Sequence, residues 1–306
     1  LFNYVIKRVL QMIPTLIGVS ILSFIIIHSV PGDPAQLIAG ADATAEQVQS
    51  VSERLGLDRP LYEQYVNYVT GLLRGDLGIS LHSERPVLEE IIMRFPNTIQ
   101  LTLYSVIIMV IVGLLAGIMS ATKPNSIRDN AAMMFSLFGI SMPVFWFGIM
   151  LILVFSYYLQ LLPSGGSGGF KYFILPSIVL GLSSSGVLAR LTRSSILEVI
   201  HQDFIRTARA KGVKERLVVF KHTLKNALVP IITIIGLEFG TLLGGAVLTE
   251  TVFSMNGLGR FIIQAIQFRD YPAVQGSILF VATIFVVVNL IVDLCYSAVD
   301  PRIRYE

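Results

Sequence analysis

The chain has 306 residues, 54% of them hydrophobic and only 14% charged, where an ordinary soluble domain carries roughly 25% charged residues. A formal net charge of +3 is too small to argue for a nucleic-acid partner, and the single Cys295 cannot close an internal disulfide. The apolar residues arrive in blocks longer than the core helices of a soluble fold, so an all-α integral membrane protein is expected.

A helix needs about 20 mostly apolar residues to cross a bilayer. Six stretches supply them: about Val9–Val30, Thr98–Thr122, Ala131–Leu159, Tyr172–Leu191, Ala227–Leu248 and Ser277–Ala298. The expected organisation follows. Residues 1–30 form an N-terminal anchor helix and 31–97 an extracytoplasmic helical segment. Residues 98–298 form a core of five further spans with a cytoplasmic loop at 192–226, and 299–306 a cytoplasmic tail. The first span, behind Lys7 and Arg8, has an apolar run too long for a signal peptide, whose core is about 7–15 residues. The nearest A-x-A triplets, at Ala39–Ala43, lie well beyond its end, so it reads as an uncleaved anchor.

Within 31–97, Thr44 with Gln47 three residues on makes a capping box for a first helix. In a second helix Leu61, Tyr65, Tyr68 or Val69, and Leu72 share one face, with Gly75 as a stop. Two readings of this segment coexist: a cap packed on the bundle, and a docking surface for an extracytoplasmic protein. The fourth span is the least apolar, with "LGLSSSG" in its middle; small and hydroxyl residues of this kind let helices approach closely.

Basic residues set the orientation. With the N-terminus in the cytoplasm, cytoplasmic segments hold fifteen Lys and Arg, nine of them between Arg190 and Lys225, and the outer segments hold eight. Five of those eight belong to 31–97, which is long enough to escape the rule. Both termini are therefore expected in the cytoplasm.

The basic loop between spans four and five predicts helix, break, helix. Asp203 opens a short helix whose body is "FIRTARAK"; Phe204 and Ala208 share one face, Arg206 and Arg209 another. Gly212 ends it, since glycine takes the left-handed conformation cheaply. Beyond it Val213, Leu217, Phe220 and Leu224 make an amphipathic stripe beside Lys214, Lys221 and Lys225. Attraction to anionic lipid headgroups accounts for the charge. It does not account for the small residues Thr207, Ala208 and Ala210 placed before the glycine, which suit the close approach of a protein surface.

Ionisable groups inside a bilayer ask for a reason. Glu238 lies near the middle of span five, Asn289 and Asp293 in span six and His28 near the end of span one. Glu238 reads either as a group facing a transport path or as the interior partner of Asn289 or of a second subunit; Asp293 and His28 fall at headgroup level, where water satisfies them. In span three Pro143 is expected to kink the helix. The stretch around it, with Ser141, Met142 and Phe145, serves either a gate or packing. No His, Cys or carboxylate cluster has metal-ligand spacing, and no G-x-x-x-x-G-K-[ST] phosphate loop is present.

"RTARAKG" (Arg206–Gly212) followed by His222, Leu224, Asn226, Ala227 and Pro230 resembles the cytoplasmic "EAA…G" loop of permease subunits of bacterial ABC importers. The match is to the branch that handles di- and oligopeptides, nickel and glutathione. Arg206 stands where the broad pattern has Glu and Thr207 where it has Ala, so the generic acidic contact is not carried over. The likeness extends along the chain through "VPGDP" (Val30–Pro34), "GDLGIS" (Gly75–Ser80), "PNT" (Pro96–Thr98) and "GISMPVFW" (Gly139–Trp146). It continues through "LPS" (Leu162–Ser164), "ILPS" (Ile174–Ser177), "FSMNGLGR" (Phe253–Arg260), "RDYP" (Arg269–Pro272) and "DPRIRY" (Asp300–Tyr305).

The resemblance implies a type I ABC importer permease (MetI-like) fold of six spans, with the large outer segment of the B-type permease, in a bacterial inner membrane. It implies a path for di- or oligopeptides, or alternatively for nickel chelates or glutathione. The partners would be a second homologous permease, cytoplasmic ABC ATPase subunits that hold ATP and Mg, an extracytoplasmic substrate-binding protein, and membrane lipid. The chain itself would bind no cofactor and be no enzyme. Phe204, Arg206, Thr207, Ala208, Arg209, Ala210, Lys211 and Gly212 would couple to the ATPase. Ser141, Met142, Pro143, Phe145 and Glu238 are the candidates for the path.

Two other classes fit less well. An ion-coupled secondary transporter favours internal repeats and several polar groups at mid-membrane; no repeat is visible, and Glu238 stands alone at that depth. An intramembrane protease would need a base beside a nucleophile such as Ser183–Ser185, and His28, His82, His201 and His222 all lie at span ends or in loops.

Overall fold

The computed structural model describes residues 2–29, 34–39 and 43–299. Helix α1 covers Phe2–Ser29, and three short helices follow: α2 (Pro34–Ala39), α3 (Ala45–Leu55) and α4 (Leu61–Leu73). Next come α5 (Val87–Thr122), α6 (Ile127–Ser141) and α7 (Val144–Leu151), the last running into a π-helical turn at Ile152–Tyr158. After α8 (Phe170–Ile200) stand the short α9 (Asp203–Ala210) and α10 (Glu215–Leu217), a second π-helical stretch at Val218–Thr223, and α11 (Leu224–Val252). The chain closes with α12 (Leu258–Gln267) and α13 (Tyr271–Val299). Residues 30–33 and 300–306 lie outside the described part, and with them most of "VPGDP" and all of "DPRIRY".

Five stretches are long and apolar enough to cross a membrane: Arg8–Ile26, Val87–Thr122, Phe170–Ile200, Glu215–Val252 and Tyr271–Val292. The sixth crossing is the pair α6 and α7 with its π turn, bent by 101°. Its two ends meet opposite ends of the bundle. The start of α6 is tied to Arg193 near the end of α8, while the chain beyond the π turn reaches the end of α11, where the Gly166 N–H donates to the Phe253 carbonyl at 2.8 Å. The bundle thus has a loop end, where α9 lies, and a far end, where α12 lies.

A simple proline kink was expected at Pro143, and the structure shows a full break. Proline disfavours helical backbone at the residue before it, and Met142 is extended (φ −79°, ψ 131°), as is Pro143 (φ −59°, ψ 126°). Two consecutive residues therefore leave the helix.

The least apolar span, α8, is the most enclosed: 61% of its most apolar window is buried within the chain, against 33% or less for the others. Its small residues do this. A side chain added at Gly181 would come within 2.7 Å of the Ser105 carbonyl, and one at Gly186 within 2.2 Å of the Ser136 carbonyl, so α5 and α6 pack backbone-close on its two sides. Leu101, Met109, Val179, Leu188 and Ile196 fill the core between them.

Helix boundaries move relative to the sequence expectation. Helix α5 starts at Val87, inside the expected extracytoplasmic segment, and carries Pro96 without breaking. Helix α8 runs on to Ile200 and the continuous helical run into α11 begins at Glu215, so the long helices are separated by 201–214, which holds the short α9, where the loop was expected over 192–226. The capping box at Thr44 forms, with the Gln47 N–H donating to the Thr44 hydroxyl and the Thr44 N–H to the Gln47 side chain. Tyr65, Tyr68, Val69 and Leu72 of α4 are half-buried as expected, whereas Leu61 is exposed.

Candidate functional site

At the loop end, α9 places Ile205 and Ala208 on its buried face and leaves Phe204, Arg206, Thr207, Arg209, Ala210 and Lys211 exposed. Ile205, with Ala208 three residues on, faces inward, while Phe204, on the side of Ala208 away from Ile205, faces outward. Ile205 is fully buried among Ile200, the last residue of α8, Val218, at the root of α11, and half-buried Val213. One side chain thus touches both long helices that flank the loop.

Gly212 caps α9. Its φ is +75°, its N–H donates to the Arg209 carbonyl at 2.9 Å, and the Val213 N–H donates to the Ala208 carbonyl at 3.2 Å. A side chain at 212 would meet nothing within 4 Å. The requirement for glycine is conformational, not steric. Across the break the Arg209 guanidinium donates to both carboxylate oxygens of Glu215, at 3.1 and 2.7 Å. Both side chains are exposed, so water screens most of the attraction.

The expected stripe of Val213, Leu217, Phe220 and Leu224 does not form the buried face. Leu217 and Phe220 are exposed, and the enclosed residues are Val218, Val219, Thr223, Ala227 and Ile231. The π-helical stretch explains the shift, because it advances the contact face by five residues at one step where an α-helix advances it by three or four. From Thr223 the spacing reverts to four.

Of the path candidates, Ser141, Met142, Pro143 and Phe145 lie at the break of the bent span, with Met142 half-buried and the others exposed. Glu238 is half-buried on α11 and accepts from the Thr241 hydroxyl at 3.3 Å. Asn289 instead lines a groove with Arg8, Gln11 and Thr15 of α1, so the expected Glu238–Asn289 pair is not made among the described residues. His28 is exposed and has protein partners as well: its ring nitrogens lie 2.8 Å from the Phe24 carbonyl and 3.1 Å from the Gln64 side chain. The side chain of Asp293 lies outside the described part.

Four acids buried among the described residues were not singled out from sequence: Glu90, which pairs with Arg94, and Glu250, Asp270 and Asp129. Glu250, fully buried, accepts from the Thr98 hydroxyl at 2.6 Å and the Arg260 N–H at 3.0 Å, while the Leu258 N–H donates to the Thr98 oxygen at 2.8 Å. The Asn97 amide donates to the Asn256 carbonyl at 2.7 Å. "PNT" and "NGLGR" therefore meet around one carboxylate at the start of α12, where a helix N-terminus favours negative charge. A side chain at Gly257 would fall 2.2 Å from that carboxyl carbon. Asp270, also buried, accepts from the Ser80 hydroxyl, from the His82 N–H at 3.3 Å and from the Ala273 N–H at 3.2 Å, joining "GDLGIS" to "RDYP". At the loop end Asp129 takes a two-pronged contact from Arg193 at 2.9 and 2.8 Å and a hydrogen bond from Ser120, clamping α5, α6 and α8. The usable sequence signal was an acid in an apolar helix or beside a glycine-rich turn.

A basic, capped elbow packed against two spans, on a bundle of six crossings, defines an importer permease more closely than an ion-coupled carrier. Comparison with known proteins settles the class. Residues 113–305 match the family model described as "Binding-protein-dependent transport system inner membrane component", and residues 1–102 match its N-terminal companion. The chain belongs to this family: it is a multi-pass inner-membrane permease subunit of an ABC importer, not an enzyme, and ATP hydrolysis resides on separate subunits. It is 47% identical to the glutathione transport system permease protein GsiC of Escherichia coli and 46% to that of Shigella boydii, each over the full length of both chains. Among solved structures it is similar to the methionine ABC transporter MetNI in an inward-facing form (TM-score 0.58, 21% identity, 69% of this chain and 96% of that one). An amino acid ABC transporter with histidines also matches, at TM-score 0.51, 20% identity, and 70% and 94% coverage. These two support the fold alone.

Proposed function

We propose that this chain forms half of a translocation path for glutathione or a closely related short peptide, paired with a second homologous permease. The identity to glutathione permeases along the whole chain supports that substrate; glutathione is itself a tripeptide, so the di- and oligopeptide expectation narrows without changing class. Nickel chelates are the less favoured cargo. The loop end faces the cytoplasm, as the fifteen-to-eight distribution of basic residues supports. Residues 31–97 then lie outside, within reach of a substrate-binding protein.

The observation that carries the mechanism is the burial of Ile205 between Ile200 and Val218. The exposed side of α9, with Phe204, Arg206, Thr207, Arg209, Ala210 and Lys211, seats on a cytoplasmic ATPase subunit that holds ATP and Mg. Closure of the ATPase pair moves α9, and Ile205 and the Gly212 cap pass the displacement to α8 and α11. Ser141, Met142, Pro143 and Phe145, at the broken span, and Glu238, on α11, line the path that opens. The test is ATPase stimulation in the reconstituted complex with its binding protein. Glutathione is expected to stimulate more than dipeptides or nickel chelates at equal concentration; stimulation by a nickel chelate alone would overturn the substrate assignment.

A further inference from the structure

Helix α4 has three faces. Gln64, Tyr65, Tyr68 and Leu72 turn toward α1, where the Tyr65 and Ser20 hydroxyls are 2.9 Å apart and Tyr65 packs edge-on to Phe24 at 5.3 Å. Glu63, Asn67 and Thr70 make a polar face. Between the two runs a third stripe, Tyr62, Val66, Val69 and Leu73, at i, i+4, i+7 and i+11. Val69 is half-buried, and Tyr62, Val66 and Leu73 are 68%, 55% and 84% exposed. A helix in water does not keep such a stripe uncovered without cause.

Its depth says what covers it. Ser20 and Phe24 both lie inside the apolar stretch Arg8–Ile26. At 1.5 Å rise per residue, Ser20 is about 9 Å from the Ile26 edge of that stretch. Interfacial helices sink their apolar face to about that depth, some 5–10 Å, at the boundary of headgroups and acyl chains. Helix α1 also leaves Leu22, Ile25 and Ile26 open along this stretch, so both helices expose apolar side chains at this depth. Exposed Arg59 and Arg74 stand just beyond either end of α4, where long basic side chains reach phosphates while their stems stay apolar.

We infer that α4 is a membrane-interface helix, lying in the far-end leaflet against α1 with Tyr62, Val66 and Leu73 in the lipid. The segment between the first two spans is then not wholly an aqueous domain: α4 fixes its height above the bundle, and α3 is left for contacts in water.

The test uses the complete importer in nanodiscs of phosphatidylethanolamine and phosphatidylglycerol, in a Cys295→Ala background. An environment-sensitive fluorophore is attached to Val66→Cys, Leu73→Cys and, as the polar-face control, Asn67→Cys. Lipids brominated along the acyl chain are expected to quench the labels at 66 and 73 severalfold more than the label at 67, with the reverse order for aqueous iodide. Equal iodide quenching at all three sites would overturn the inference. So would shielding of 66 and 73 from both quenchers, with photocrosslinks to the second permease or the binding protein.

Discussion

The short helices at the two ends of the bundle, α12 and α9, are held on different principles, although the long helices α5, α6 and α8 are clamped at the loop end by a buried carboxylate of their own, Asp129. At the far end, α12 and the turns around it are held by buried carboxylates, Glu250 and Asp270, each accepting from backbone N–H groups and a hydroxyl. At the loop end, α9 is held by a small apolar contact around Ile205, a glycine cap and an exposed ion pair. A buried carboxylate with fixed donors tolerates little displacement, because any shift leaves charge and donors unpaired in an apolar setting. An apolar contact with a glycine hinge can slide by fractions of an ångström at small cost. Helix α12 is anchored, and α9 is the articulated element on an otherwise clamped loop end.

The sharpest way to break this contrast is at Gly212. Gly212→Val forces a β-branched residue into left-handed backbone, so ATP-driven uptake in proteoliposomes is expected to be lost while membrane insertion is kept. Gly212→Asn, which accepts that backbone more readily, is expected to retain most of the uptake. If both behaved alike, the cap would be irrelevant to coupling.

Next in size is Ile205→Ala. Large-to-small changes at a buried site cost about 2–5 kcal/mol, here at the joint itself. Substrate moved per ATP hydrolysed is expected to fall several-fold, with ATPase activity little changed. Glu250→Gln replaces one acceptor oxygen with a donor facing a donor and is expected to cost about 1–3 kcal/mol, read as a lower melting temperature of the purified complex. The contrast predicts lowered stability with the coupling ratio intact. Smallest is Arg209→Ala: an exposed pair contributes about 1 kcal/mol or less, so the melting temperature should scarcely move.

How far the sequence could be read also differs between the ends. The elbow was legible because a short helix, a glycine and a basic surface are local signals, and Gly212 has the predicted role of helix stop. Which of its faces is buried was not legible, since only the tertiary packing shows that Ile205 points between α8 and α11. The stripe after Gly212 failed for a definable reason: a π-helical stretch changes the period, and α-helical spacing cannot anticipate it. At the far end "PNT", "GDLGIS", "NGLGR" and "RDYP" were visible as strings, but their meaning is pairwise and long-range. Thr98 and Glu250 stand 152 positions apart and Ser80 and Asp270 190 apart, so no window on the sequence joins them. Pro143 was read as a kink because the effect of a proline on the residue before it, Met142, adds to its own.

The central claim is that the outward side of α9 is the surface on which the ATPase acts. A photoreactive amino acid in place of Phe204, illuminated in the assembled complex, tests it most directly. Adducts with the ATPase subunit whose yield changes when a non-hydrolysable ATP analogue is added are the predicted result. Adducts with lipid alone, or none with the ATPase in either nucleotide state, would contradict it.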